Sequence, residues 1–559
     1  MYDLVIKDAM IYDGTGNAPV AGDVAVERGR IVAVGTDTGA GAEVTDASGL
    51  ALMPGIIDTH THYDAQITWD PWATPSPALG VTTVIMGNCG FTIAPCRPAD
   101  RDLVMRNLTH VEGMSLDALR NGIDWSFESF PQYLDALERR GVGPNMACFV
   151  GHSSVRTFVM REQATERAAT PDEVDEMRRL VLEAMEAGAC GFSTTRNSQH
   201  NGEAGIPMPS RLAAEDELLA LSATLRESGR GVLMMTKDAL TTPISSIERL
   251  ARSAARPYVI AALLHSNLTP EATFDDLAEI EAARRRGNRL VGAVSACPLT
   301  FEFTLHEPYV FEGLTSWQPL MKLDEQALKR ALAQPQFRTL VKGELAQRAR
   351  RMFNGEWDKM FVTRAARADN RAREGSSVAA LAREAAKHPL DFMLDLSLSE
   401  GLDTVFTSTL LNSDEEAVGR LLRDPNSIVS LSDAGAHLTF LCDAGFGLHL
   451  LGHWARERAV MPVAEAVRKL TSEPAELFGI ADRGRIAPGQ CADLVLFDPA
   501  TVGRGKPQRV FDLPAGASRL TTPALGVHGV WVNGTRVADA DGMILDAPLP
   551  GRVLRRFQA

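Results

Sequence analysis

The pattern of hydrophobic and polar positions divides the chain into two β-rich ends and a long middle. Residues 2–53 and 482–559 contain short alternating runs, broken by turn dipeptides such as Asp13-Gly14 and Asn533-Gly534. Such runs are typical of half-buried strands joined by tight turns. In the middle, short apolar runs alternate with helix-like stretches, as in a sheet of parallel strands connected by helices. We therefore predict that the two ends together form one small β-sandwich and that residues 54–481 form an α/β domain.

Eight apolar runs in the middle have the length of buried strands, at residues 55–58, 81–86, 146–150, 189–194, 231–235, 258–264, 290–295 and 428–431. Eight strands separated by helices predict a TIM-like (β/α)₈ barrel. In such a barrel the functional side chains lie just after each strand, at the carboxyl-terminal rim.

A segment at about residues 300–411 exceeds what a minimal barrel needs. It contains helix-like stretches at 324–332, 337–351 and 377–388, and we predict a helical insertion that acts as a lid over the rim. Its aromatic residues include Trp317, Phe353, Trp357 and Phe361. They are either the core of this insertion or the wall of a pocket for an acyl chain.

Charge and cysteine content narrow the class of protein. The 559 residues carry a formal net charge of −14, which argues against a nucleic-acid or membrane partner because either requires a basic face. The first residues lack a signal peptide and no apolar run approaches the length of a membrane span. Seven scattered cysteines without a CxxC pair favour free thiols in the cytoplasm. The oligomeric state is open, and a homo-oligomer is compatible with the sequence.

The sequence PGIIDTHTHYD, at residues 54–64, places two histidines at the end of the first predicted strand. Side chains alternate along a strand, so His60 and His62 point to the same side. Two converging imidazoles suit a divalent metal such as zinc. With twelve histidines in the chain, chance gives about 0.3 such pairs. The position after an apolar strand, between Asp58 and Asp64, is what favours a metal site.

Side chains that can bind a metal or transfer a proton follow other predicted strands as well. A single residue of this kind is unremarkable, but the set recurs at one rim of the predicted barrel. An aspartate after the eighth strand can take a proton from water and pass it to a leaving amine. The candidates are Cys89, His152, Lys237, His265, Cys297 and Asp433.

These motifs resemble the amidohydrolase superfamily and, within it, the N-acyl-D-amino-acid deacylase (D-aminoacylase) group. The matching segments include PGIIDTHTHYD, GVTTVIMGNCGFTIAPC, SLSDAGAH and IAPGQCADLVLFDP. The resemblance implies that His60 and His62 bind one metal ion. It implies that Cys89 is shared with, or belongs to, a second metal position with His265. It also implies that Asp433 is the acid/base and contacts the metal, with Zn²⁺ as one ion or two, or another divalent metal.

The chain departs from this group at three places. The group has a histidine ligand after the fifth strand, whereas the stretch Met234–Lys237 has none and Lys237 is the residue nearest that place. Where the group has a carboxylate-binding lysine, this chain has Asn267. The tyrosines after the seventh strand are replaced by Cys297-Pro298-Leu299. Lys237 is either a metal ligand or a cation paired with the substrate or with a rim carboxylate. We expect His152, Asn267 and His437 to contact the substrate, His152 at the oxyanion.

The sequence therefore predicts a metal-dependent hydrolase of a linear amide, most simply an N-acyl amino acid or a related N-acyl compound. Hydrolysis of a lactone, a carbamate or a cyclic imide needs the same activation of water and stays open. A second class of hypothesis is a non-catalytic relative that serves as a scaffold, and the lost histidine after the fifth strand motivates it.

Overall fold

The computed structural model describes residues 1–347 and 351–558. The chain divides into two compact units. The first comprises Met1–Leu263, Thr273–Cys297 and Gly419–Ala559, and the second comprises Leu264–Ala272 and Pro298–Val418.

The first unit contains a barrel. In the described part of the chain its eight strands are parallel and neighbours in chain order, and they are Ile56–Asp58, Val81–Met86, Asn145–Gly151, Gly191–Thr195, Val232–Thr236, Tyr258–Ala261, Leu290–Val294 and Ser427–Val429. Just beyond the first and last strands, Thr61 and Ala434 form a parallel bridge. The His62 N–H donates to Ala434 O at 2.8 Å and so closes the sheet. The predicted barrel is confirmed, with strand bounds that differ by up to three residues.

Helices follow the barrel strands or cover their connections. They are Arg101–Val111, Leu116–Gly122, Phe130–Arg140, His152–Met160, Pro171–Ala187, Glu215–Ser228, Ile244–Ala254, Ala272–Arg285, Glu415–Arg423, Phe446–His449, Val463–Leu470 and Ser472–Phe478, with a π-helix at Leu450–Glu457. The helix Pro171–Ala187 shows why the sequence sets these bounds. Thr170 and Glu173 form a capping box at its start, and Gly188 ends it at φ 110°, a conformation that glycine tolerates.

The two chain ends build one nine-stranded sheet in the described part of the chain. Its strands are Tyr2–Ile11, Val20–Glu27, Arg30–Gly35, Gly41–Asp46, Ala51–Pro54, Leu494–Phe497, Val527–Val532, Thr535–Asp539 and Gly542–Met543. Leu494–Phe497 pairs with Ala51–Pro54 and joins the ends directly. Side chains from both ends, such as Ile6 and Trp531, share one apolar cluster. The chain ends therefore form a composite β domain, whereas its predicted boundaries at residues 53 and 482 stay a prediction.

A buried polar network ties this sheet to the amino-terminal end of the barrel. Asn145, at the start of the third barrel strand, donates through Nδ2 to Asp493 Oδ2 at 3.0 Å. The other oxygen of Asp493 accepts from the Asn533 N–H at 2.7 Å, and Arg483 forms an ion pair with the same carboxylate. Asp493 thus satisfies groups from three segments in a buried position where water cannot replace it.

We expect Asp493→Ala to lower the free energy of unfolding by about 3–5 kcal/mol, because it leaves the buried Arg483 guanidinium without its carboxylate. Chemical denaturation measures this loss. The control is Arg485→Ala, which removes an ion pair to Glu476 whose side chains are 47% and 63% exposed and should therefore have little effect. Equal stabilities of the two variants would contradict the role of Asp493.

The second unit has its own sheet and core. Leu299–Phe303, Met360–Arg364 and Val405–Leu411 form an antiparallel sheet, with helices at Glu325–Ala333, Pro335–Leu345, Val378–Glu384 and Pro389–Ser399. Trp317 is buried and stacks on Phe311 with ring centroids 4.5 Å apart, and Phe353 contacts both Phe311 and Trp357. These aromatic residues pack on one another as a core, whereas Phe361 is 38% exposed.

The predictions for this segment differ from the structure in two respects. The sequence did not predict its sheet, and the helix expected at 337–351 ends at Leu345, with residues 348–350 outside the described chain. The role of this insertion as a lid stays a prediction. No helix in the described residues is long and apolar enough to cross a bilayer.

Candidate metal centre

The first two predicted ligands lie at the carboxyl-terminal rim, directly after the first barrel strand. His60 and His62 are buried, and their ring centroids are 5.3 Å apart. The backbone between them is fixed by the eighth strand, because Ser432 Oγ donates to His60 O at 3.1 Å. Gly435 packs on the His62 carbonyl so closely that a Cβ there would lie 2.7 Å from it. The glycine of the SDAGAH motif is therefore required by the close approach of the two rim segments.

Cys89 reaches the same point from the turn after the second strand. The turn Asn88–Gly90 holds Cys89 at φ 57°, between Gly87 and Gly90, which also have positive φ. The Sγ atom lies 3.5 Å from His60 Nε2 and 4.0 Å from His62 Nε2. It also contacts Thr236 Oγ1 at 3.0 Å, at the end of the fifth strand. The left-handed turn is what aims the thiol at the two imidazoles.

Asp433, after the eighth strand, lies beside the two histidines. Its Oδ1 lies 3.2 Å from His60 Nε2 and 3.7 Å from His62 Nε2. Its Oδ2 lies 4.0 Å from His437 Nε2. The side chain is 23% exposed, whereas those of His60 and His62 are 4% and 5% exposed. Asp433 is thus more exposed than the two histidines beside it.

The ligand atoms of His60, His62 and Cys89 lie close enough to share one zinc ion, and Asp433 lies beside the two histidines. A tetrahedral ion with bonds of about 2.0–2.3 Å holds its ligand atoms about 3.3–3.8 Å apart. The distances measured between the imidazole nitrogens and the sulfur or carboxylate oxygen are 3.2–4.0 Å. His60, His62 and Cys89 also form a group whose ligand atoms all lie within 4.8 Å of one another. Two imidazoles, a thiol and a carboxylate are the donors that zinc takes.

The electrostatics around this cluster also call for a cation. Glu112, which the sequence analysis did not single out, is buried with its Oε1 3.1 Å from His62 Nδ1. Asp58 and Asp64 are buried beside the histidines, and burial raises the pKa of each to about 7. Among the described residues, no lysine or arginine pairs with Asp58, Asp64, Glu112, Cys89 or Asp433. A divalent ion would supply the positive charge that these buried acidic groups lack.

The titration of the site side chains follows from burial and from one another. Burial lowers the pKa of His60 to about 4. Burial also opposes the charged form of His62, but the carboxylates of Glu112 and Asp433 raise its pKa above the ordinary value. Burial alone would raise the pKa of Asp433, but the three histidines around it hold that pKa well below the usual range. Asp433 is therefore ionised.

Comparison with known proteins identifies the family. The sequence profile described as the amidohydrolase family matches residues 43–538, which is most of the chain. The chain belongs to the amidohydrolase family. The family resemblance found in the motifs is thereby confirmed, and with it the class of enzyme, a hydrolase of carbon–nitrogen bonds.

This amidohydrolase is similar to N-acyl-D-amino-acid deacylases along its whole length. It is 30% identical to the D-aminoacylase of Alcaligenes xylosoxydans xylosoxydans over 569 residues, which cover 100% of this chain and 98% of the relative. A crystal structure of D-aminoacylase superposes with a TM-score of 0.68 at 26% identity, covering 100% of both chains. The N-acyl-D-glutamate deacylase of Bordetella bronchiseptica, complexed with zinc and a phosphonate inhibitor, gives 0.66 at 25% identity, with 99% and 100% covered.

Lys237 has a carboxylate partner in this amidohydrolase. Its Nζ lies 2.6 Å from both oxygens of Asp276, on the helix after the sixth strand. The Lys237 side chain is only 5% exposed. Of the roles predicted from the sequence, the pairing with a rim carboxylate is the one the structure shows. We therefore leave Lys237 out of the proposed ligand set.

Lys237→Ala should keep the metal content of the wild type, because its ammonium is neutralised by Asp276 rather than by the metal cluster. The variant should unfold about 1–3 kcal/mol more easily, since it leaves the partly buried Asp276 without a partner. Elemental analysis and a denaturation curve measure the two effects. Asp276→Asn is the matched control, and it should also keep the metal. Loss of metal in Lys237→Ala alone would restore the predicted ligand role.

The remaining predicted residues have differing surroundings. His152 is fully buried, with Nδ1 2.8 Å from Thr194 Oγ1 and Nε2 2.7 Å from Glu217 Oε1, so both its nitrogens have partners within the protein. This geometry does not support the predicted oxyanion contact, because neither nitrogen is free for a substrate. His437 is 27% exposed and faces Asp433, and its contact with a substrate stays a prediction.

Two predicted residues lie in the second unit. His265 is buried, and its backbone N–H donates to Asn412 Oδ1 at 2.7 Å. Asn267 is exposed, and its Nδ2 donates to Ser413 Oγ at 2.9 Å. The metal-ligand role of His265 and the substrate contact of Asn267 stay predictions.

Proposed function

We propose that this amidohydrolase cleaves the linear amide bond of an N-acyl-D-amino acid, with one Zn²⁺ held by His60, His62 and Cys89 and contacted by Asp433. The observation that carries the proposal is the cluster of His60, His62 and Cys89 at the barrel rim, with the Asp433 carboxylate 3.2 and 3.7 Å from the two histidines. The full-length similarity to the D-aminoacylase of Alcaligenes xylosoxydans xylosoxydans supports the class of substrate.

The residues of the cluster divide the chemistry between them. When bound, the ion lowers the pKa of water and polarises the amide carbonyl. Asp433, ionised and partly exposed, accepts the proton that the attacking water loses. Asp433 then donates that proton to the departing nitrogen as the carbon–nitrogen bond breaks. The products are the carboxylate of the acyl group and the free amino acid.

The buried side chains keep this arrangement fixed. Glu112 sits behind His62 and orients the imidazole, as carboxylates commonly do for histidine ligands. The hydroxyl of Thr236 contacts the Cys89 sulfur from the side of the fifth strand. Fixed donors need no reorganisation during the reaction, which favours the transition state.

An assay with N-acetylated D- and L-amino acids tests the proposed function through the release of free amine. We expect turnover of one or more D-substrates by the zinc-loaded protein, loss after chelation and recovery on adding zinc. The same panel should contain a lactone, a carbamate and a cyclic imide. Exclusive hydrolysis of one of these would correct the substrate class, and no hydrolysis by metal-loaded protein would favour a scaffold.

The seven free cysteines support a cytoplasmic location, which we include in the proposal.

A further inference from the structure

A cavity lies at the amino-terminal end of the barrel strands, opposite the rim that carries the metal cluster. Its volume is about 290 Å³, which is room for about ten water molecules at about 30 Å³ each. One wall is formed by Gly231, Pro257 and Arg289, which come directly before the fifth, sixth and seventh barrel strands. The helix Ser472–Phe478 and Gln558, near the end of the chain, form the other wall. All of these residues belong to the first unit.

The walls of this cavity are basic, although the chain as a whole carries a formal net charge of −14. Four arginines and one acidic residue line it, and they are Arg256, Arg289, Arg483, Arg485 and Glu476. Two of the arginines are neutralised, because Arg483 forms its ion pair with Asp493 and Arg485 pairs with Glu476. Neither Arg256 nor Arg289 forms an ion pair within residues 1–347 and 351–558. The cavity therefore carries two positive charges that the protein does not neutralise.

The two unneutralised guanidinium groups lie close enough to repel each other. Arg256 is held in place by the backbone, since its Nη1 donates to Gly229 O at 2.9 Å and its Nε donates to Gly231 O at 3.3 Å. These bonds leave its Nη2 without an acceptor in the described part of the chain. Burial, and after it the positive charge of Arg289, lower the pKa of Arg256. An anion in the cavity would remove this repulsion and bind the unused N–H donors.

We propose that this cavity binds a phosphate group, carried by inorganic phosphate or by a small organic phosphate. A phosphate dianion matches the two unneutralised charges, and its oxygens suit the planar fork of a guanidinium. A single carboxylate would neutralise only one of them. Arg483 adds a further donor, since its buried Nε has no hydrogen-bond partner among the described residues. This binding site is independent of the proposed amide hydrolysis at the opposite end of the barrel.

A bound phosphate would join segments that are far apart in the chain. Arg256 lies before a barrel strand, whereas Arg483 belongs to the buried network around Asp493. A ligand that contacts both can bind only the folded protein, so it raises the free energy of unfolding and with it the midpoint of thermal unfolding.

The test is isothermal titration calorimetry of the purified full-length protein with inorganic phosphate and with glycerol 3-phosphate, at constant ionic strength. Arg289→Gln removes one of the two unneutralised charges, and its side chain is exposed, so the variant should fold. The matched control is Arg285→Gln, four residues earlier, whose arginine pairs with Glu281 and does not line the cavity. His60→Ala shows whether any of the phosphate binds at the metal cluster instead.

We expect Arg289→Gln to weaken phosphate binding about 10- to 100-fold, whereas Arg285→Gln and His60→Ala change it less than about 3-fold. Phosphate should also raise the midpoint of thermal unfolding of the wild type and of Arg285→Gln, but not that of Arg289→Gln. Tighter binding of glycerol 3-phosphate than of phosphate would support an organic ligand, and equal binding would support the inorganic ion. Absence of binding by the wild type at millimolar concentration, equal weakening in Arg289→Gln and Arg285→Gln, or loss of binding in His60→Ala alone would overturn the proposed site.

Discussion

Replacing Asp433 with asparagine should lower kcat by about 10²–10⁴-fold, the range of a lost general acid/base. The amide of asparagine occupies the same volume but cannot accept a proton from water or return one to the leaving nitrogen. The structure gives Asp433 this role because its Oδ1 lies 3.2 Å from His60 Nε2 while its side chain is 23% exposed. Asp433 thus combines a short distance to the metal-site histidines with a partly exposed side chain.

The variant should fold and keep its metal, because His60, His62 and Cys89 remain. Steady-state kinetics of zinc-loaded protein measures the loss, with elemental analysis of the same sample. The matched control is Asp443→Asn, ten residues further along the chain, whose carboxylate pairs with Arg504 at 2.7 Å. Asp443→Asn should lower the free energy of unfolding but leave proton transfer, and therefore kcat, unchanged. Wild-type turnover by metal-loaded Asp433→Asn would remove Asp433 from the mechanism.

His60→Ala and His62→Ala should each remove metal and activity together. Both Nε2 atoms face the Cys89 sulfur, at 3.5 and 4.0 Å, so each substitution removes one donor from the same ion. A site with three protein ligands binds zinc far more strongly than the two-ligand site that either variant would leave. We expect activity to fall to the limit of detection in metal-buffered solution and to recover in part with excess zinc.

His449→Ala is the matched control for these two variants. His449 is also mostly buried, and burial lowers its pKa to about 3, but it stacks on His453 in a helix away from the cluster. Its replacement should leave the zinc content unchanged. Full metal and full activity in either His60→Ala or His62→Ala would show that the HxH pair is structural.

The barrel and the HxH pair could be predicted because both depend on local sequence. The run predicted at 81–86 matches the strand Val81–Met86 residue for residue, since a strand buried on both faces carries no charged residue and shows no alternation. The alternation that puts His60 and His62 on one side continues past the strand end at Asp58 through the bridge between Thr61 and Ala434. For these features, neighbouring residues carry the information.

Other parts of the site depend on contacts between distant segments. Glu112 lies fifty residues from His62 in the chain, and an acidic residue at the end of a helix has no signal that marks a buried partner. Lys237 could be given several roles from the sequence, and only its position opposite Asp276 decides between them. The sheet of the second unit was missed because its strands are short and far apart, at 299–303, 360–364 and 405–411.

The central claim is that His60, His62 and Cys89, with Asp433, hold one catalytic ion. The zinc content of the purified wild-type protein is compared with that of Cys89→Ala. Both are dialysed against metal-free buffer and measured by elemental mass spectrometry. We expect close to one zinc per chain in the wild type and much less than one in Cys89→Ala, with both proteins folded. A wild type without metal, or a Cys89→Ala protein that keeps its full equivalent, would contradict it.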